Sequence, residues 1–186
     1  MARVGRRHPL AGIIIFLPVL FLVIAALLIN VWAIVEQQRV AEQISQLTNV
    51  ISSARASDNI QNYSGSDASP KILQLLERDA TLKHTVHRIE NTDVLINPWG
   101  NPVYVSGDGK IDVRFNTVMP SAACAKIGEF FVAESWLGLR QLRVMNDGVN
   151  PPQAISVQPV VNSQQVQRAC GLAKVVRTEM TFRMPL

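Results

Sequence analysis

The chain has 186 residues, 48% of them hydrophobic and 17% charged, with 18 Lys+Arg against 14 Asp+Glu for a net charge of +4. The charged share is low because one long uncharged run dilutes it. Arg3, Arg6 and Arg7 account for most of the positive excess, so the rest is almost neutral and no nucleic-acid binding is expected.

The first element is Leu10–Val35, LAGIIIFLPVLFLVIAALLINVWAIV, which carries no charge and one strongly polar residue, Asn30. As a helix of about 26 residues it would reach roughly 39 Å. The hydrocarbon core of a bilayer is roughly 30 Å thick and takes about 20 apolar residues to cross. A helix in lipid also satisfies its own backbone hydrogen bonds. Pro18 is expected to kink or weaken it locally, since proline has no N–H to give and its ring crowds the preceding turn. Residues 1–9 form a basic leader, whereas Glu36, Arg39 and Glu42 behind the run are mixed in sign. The positive-inside rule then leaves the N-terminus in the cytoplasm and everything after Val35 outside. Two other readings compete with this anchor. One is a cleaved secretory signal with its exit at Val31-Trp32-Ala33; the other is a helix buried in a soluble core.

The helix is expected to continue over 36–56, which has no Gly or Pro. Val40, Ile44, Leu47, Ile51 and Ala54 recur every three or four residues, the stripe of an amphipathic helix suited to docking on a sheet. An isolated coiled coil competes with that reading, but this stripe lasts too few heptads. Ser57–Ser69 is polar and rich in turn formers, a linker. Ser69-Pro70 opens a helix predicted to run to about Asp79, and Leu82–Glu90 is open between helix and strand.

From Val94 the period becomes that of strands. Asn97–Pro102 is a turn by composition. Val103–Val105 and Ile111–Phe115 flank Ser106-Gly107-Asp108-Gly109 as a hairpin. Pro120-Ser121 opens a second amphipathic helix, Ala122 to about Ala133. Leu139–Met145 reads as a strand ending at Asn146-Asp147-Gly148, and Ala154–Val161 as another, weakened by Pro159. Gln164–Leu172 is a short helix or a loop. Val175–Met184 is a terminal strand with Val176, Met180, Phe182 and Met184 inward and Arg177, Glu179, Thr181 and Arg183 on a wet face. The fold class is α+β, with residues 57–186 as a globular head near the commonest domain size.

Little in the sequence points to reaction chemistry. There is no nucleophile elbow, phosphate-cradling glycine loop or dinucleotide fingerprint, and no catalytic or cofactor-binding residue is assigned. His84 and His87 would meet on one helical face with Glu90 a turn on. Metal sites need more ligands in defined geometry, so these read as surface histidines, and Glu77 and Asp79 as exposed charges. Cys124 and Cys170 are too far apart for a CxxC motif. On the oxidising side of a membrane they pair as one disulfide; two buried free thiols are the alternative.

The order of these features resembles the type IV pilins, specifically the type IVb group of conjugative thin pili and bundle-forming or toxin-coregulated pili. The resemblance rests on three things: an apolar helix passing into an amphipathic one, Asn97-Pro98-Trp99-Gly100 followed by strand–turn–strand, and Met119-Pro120-Ser121-Ala122-Ala123-Cys124 opening a helix. It implies a long helix packed on an antiparallel sheet, and a bridge from Cys124 to a cysteine near the C-terminus, here Cys170. It implies as partners other pilin subunits bundled through their apolar helices, the bacterial inner membrane and the pilus assembly machinery. The chain departs from the family in one respect. Prepilins are cut after a glycine, for which Gly5 and Gly12 qualify, and carry a glutamate at the fifth mature position. No acidic residue precedes Glu36, and a cut after Gly5 would put Leu10 there. The expectation is therefore a non-enzymatic, minor subunit of a pilus or related secretion filament, resident in the membrane or incorporated in an extracellular pilus. Alternatives are a pilus-borne adhesin acting through the loop around Asn146–Pro152, and a signal-anchored periplasmic enzyme or assembly factor.

Overall fold

A computed structural model describes residues 9–56, 64–65, 86–89, 92–108, 112–149, 151–160 and 162–183, with side chains resolved for 18–52 of the first helix. The Ser69–Asp79 helix, Glu77, His84, Glu90, Gly5 and Met184 lie outside the described residues, as does the side chain of Ala54.

Helix α1, Pro9–Ala56, is a single helix that continues through Pro18. The chain divides into two compact units, Met1–Gln38 and Arg39–Leu186, so the boundary falls inside α1 where charged residues return. In the second unit, Val40, Leu47, Val50 and Ile51 are buried and Ile44 packs against them. Their three- and four-residue spacing puts them on one side of the helix.

The remaining elements follow in order. They are β1 (Ser64–Gly65), β2 (Val86–Ile89), β3 (Thr92–Ile96), β4 (Pro102–Asp108), β5 (Asp112–Pro120), α2 (Ser121–Ala133), a 3-10 turn (Ser135–Leu137), β6 (Leu139–Asn146), β7 (Gln153–Val157), α3 (Ser163–Cys170) and β8 (Val175–Arg183). The strands form an antiparallel sheet in the order β2-β3-β4-β5-β8-β6-β7, with the short β1 pairing with β4. The C-terminal β8 thus inserts between β5 and β6, pairing from Asp112↔Arg183 to Pro120↔Val175 on one side and from Leu139↔Phe182 to Met145↔Arg177 on the other.

Alternation gives the sheet one apolar face. Val105, Phe115, Met180 and Leu142 lie in one row across neighbouring strands and are all buried. Against this face Phe131 of α2 meets Phe182 edge-on at 4.8 Å, and Phe182 meets Phe115 at 5.6 Å, the tilted geometry that aromatic quadrupoles prefer. Helices α2 and α3 pack closely: a Cβ on Gly128 would lie 2.5 Å from Val166 Cγ1. Only glycine admits that approach. Asn162 caps α3 by accepting from the Gln165 N–H at 3.0 Å, as helix starts require.

Several elements differ from expectation. Strand β5 continues beyond Phe115 to Pro120 because Thr117 and Met119 keep the inward alternation. Strand β7 stops at Val157, ahead of the cis Gln158–Pro159 peptide. Residues 163–170 are helix, and part of Leu82–Glu90 is strand. The polar linker contributes β1. Thr181, predicted to face water, is only 4% exposed.

Candidate functional site

The feature that sets this molecule apart is the surface of α1. Every residue from Pro18 to Val35 is exposed, including Phe21 at 68%, Leu22 at 71% and Trp32 at 72%. Scattered apolar side chains are common on protein surfaces, but a contiguous apolar surface of this length marks a face that water does not normally solvate. The helix is long and apolar enough to cross a membrane. The one strongly polar side chain between Pro18 and Val35, Asn30, donates a side-chain N–H to the Ala26 carbonyl at 2.8 Å, which satisfies one of its hydrogen-bonding positions within the helix.

A few turns later the same helix is buried. Of the predicted docking face, Val40, Leu47 and Ile51 are buried, Ile44 is half-buried, and the Ala54 side chain is outside the described residues. Two polar residues that sequence reasoning missed share this face. Gln46, 2% exposed, donates from Nε2 to the Ile96 carbonyl at 3.1 Å. Gln43 is fully buried, and neither atom of its amide has a partner among the described residues.

The strand that receives Gln46 ends in a polar knot centred on Asn97, itself only 2% exposed. Its Oδ1 accepts the N–H groups of Trp99 (3.0 Å) and Asn101 (2.9 Å), shaping the turn. Its Nδ2 donates to Thr117 Oγ1 at 2.9 Å and the Val118 carbonyl at 2.8 Å. Thr117 in turn donates to the Pro102 carbonyl at 2.9 Å, and Thr178 donates to the Thr117 carbonyl at 3.2 Å. One buried amide therefore ties the turn to β5, and Thr117 extends the network to β4 and β8. The turn composition around Pro98 and Gly100 was legible; the inward aim of Asn97 was not.

Cys124 of α2 and Cys170 of α3 form a disulfide, with 5.7 Å between their Cα atoms and 46 residues of separation. It clamps the two helices beside the Gly128–Val166 contact. At the start of β6 a shift in strand register leaves Arg140 out of the β8 pairing, and its guanidinium reaches Asp112 Oδ2 at 3.1 Å. The loop proposed for adhesion is organised by Asn146 Oδ1 accepting the Gly148 N–H at 3.0 Å and by Arg177 on Asp147 at 2.8 Å.

His87 lies in β2, and its expected partners His84 and Glu90 lie outside the described residues. No group of three or more His, Cys, Asp or Glu that would hold a metal occurs among the described residues. Gly12 lies within α1. Comparisons with protein-family models, with curated proteins and with solved structures found no match.

Proposed function

We propose that this chain is a non-enzymatic, pilin-like subunit of a bacterial type IV pilus or related secretion filament. In this reading Leu10–Val35 holds it in the inner membrane, with the N-terminus cytoplasmic and the rest periplasmic. The observation that carries the proposal is the division of α1. One unbroken helix is apolar and exposed through Val35 and buried in the core of an antiparallel-sheet domain from Val40. Such a helix serves as a tether in lipid and as a packing rod among other subunits, while its second half keeps the folded domain attached. The Cys124–Cys170 disulfide fits an exported domain. The absence of an acidic residue before Glu36 favours a minor role over the bulk subunit, because a buried glutamate needs a partner and so sets register.

The test is to recover filaments from cells and ask whether the protein is in them. The proposal expects its peptides in purified pili, and fewer or shorter filaments when it is deleted. Absence from the filaments, with unchanged number and length on deletion, defeats it. Intact mass of the native N-terminus separates the routes: Met1 retained, or a cut after Gly5 or Gly12, keeps the anchor, whereas a cut after Ala33 removes it.

A further inference from the structure

We infer that the membrane-spanning half of α1 pairs with a second copy of this chain, in parallel and in register, through a seam centred on Asn30. The inference rests on the membrane reading above and goes beyond it by naming the partner. An asparagine amide has two N–H donors and a carbonyl acceptor. In Asn30 one N–H is used on Ala26, and the other N–H and the carbonyl have no partner among the described residues. In water this costs little; in hydrocarbon there is nothing to hydrogen-bond with, and polar groups there turn toward other helices.

An identical amide at the same depth answers both needs, since each copy's N–H meets the other's carbonyl. Copies inserted in one orientation bring their Asn30 residues to the same depth without adjustment. The sequence around Asn30 is shaped for this. Val19, Val23, Ala26, Asn30, Ala33 and Gln37 succeed one another at alternating spacings of four and three, the repeat of a two-helix seam. The small Ala26 and Ala33 flank Asn30 and let two backbones approach. The two aromatic side chains, Phe21 (68%) and Trp32 (72%), fall with Leu28 on the opposite side of the helix at 3.6 residues per turn. A single asparagine at a seam position is the known device for fixing register between helices, so the pairing is unstaggered.

The full chain, reconstituted in phospholipid vesicles, provides the test. Its native cysteines are both in the disulfide, so Ala33→Cys and Leu28→Cys each introduce one free thiol, on the seam and opposite it. The inference expects oxidative cross-linking of Ala33→Cys to exceed that of Leu28→Cys about fivefold or more. Adding Asn30→Leu is expected to remove most of that excess and Asn30→Gln to retain it. Equal cross-linking on both faces, or no effect of Asn30→Leu, overturns the inference while leaving the anchor intact. Cross-links only between mixed Ala26→Cys and Ala33→Cys chains would mean staggered, filament-like packing and also overturn it. Release of the unmodified chain by alkaline carbonate would overturn both the pairing and the membrane reading.

Discussion

The two halves of α1 share a backbone and differ in what their side chains are for. Between Pro18 and Val35 nearly every residue is apolar and all are exposed, so no face is distinguished by the rest of the chain. Between Val40 and Ile51 the apolar residues occupy one side, accompanied by Gln43 and Gln46, and that side is buried. Hydrophobic content alone therefore does not decide burial. The less apolar half is the buried one: Val40, Leu47, Val50 and Ile51 belong to the core of the second unit, and the Gln46 amide meets the Ile96 carbonyl there.

The largest effect should come from charging the exposed half. Ile24→Arg with Leu27→Arg places two guanidinium groups near the bilayer centre at about 3 kcal/mol apiece. The chain should move from the membrane to the soluble fraction on cell fractionation, with the Cys124–Cys170 disulfide still formed. Next is removal of that disulfide. Replacing both cysteines by serine should lower stability by about 4 kcal/mol on the chain-entropy account of a loop this long, measured by urea unfolding of the detergent-solubilised full chain. Membrane residence should be unchanged.

A matched pair of truncations then sharpens the contrast within one helix. Leu47→Ala, at a site 1% exposed, should cost about 3 kcal/mol in the same urea experiment. Leu27→Ala, at a site 60% exposed, should cost less than about 0.5 kcal/mol. Equal effects would mean that the two halves share one environment. Below Leu47→Ala in expected cost stands Asn97→Ala, which leaves the Thr117 hydroxyl and the Val118 carbonyl short of a donor. It should cost about 2 kcal/mol and raise amide exchange at Trp99 and Asn101.

How much of this was legible in the sequence follows from how local each signal is. The 26-residue apolar run and the spacing of Val40, Leu47 and Ile51 depend on near neighbours and could be read directly, whereas the turn expected at Asp108-Gly109 reaches outside the described residues. Gln43 and Gln46 could not, since what buries them is a surface brought in from 50 residues away in the case of Gln46 and Ile96. Asn97 misled for a related reason: its composition signals a solvent turn, yet its amide completes hydrogen bonds with a strand 20 residues on. Thr181 alternates with Met180 and Phe182 and so read as outward, but it is buried between the flanking rows at Arg114 and Gln141. The placement of β8 between β5 and β6 has no local signal, as both neighbours are distant in sequence.

The division of α1 can be examined most directly by moving a nitroxide label, one site at a time, from Val19 to Ser52 in the full chain in vesicles and comparing quenching by oxygen with quenching by a water-soluble nickel chelate. The account predicts high oxygen and low nickel access from Val19 to about Ile34, then neither quencher reaching Val40, Leu47, Val50 and Ile51 while Ala41, Glu42 and Ser45 admit nickel. Free access of nickel to the first half, or an absence of helical periodicity in the second, would contradict it.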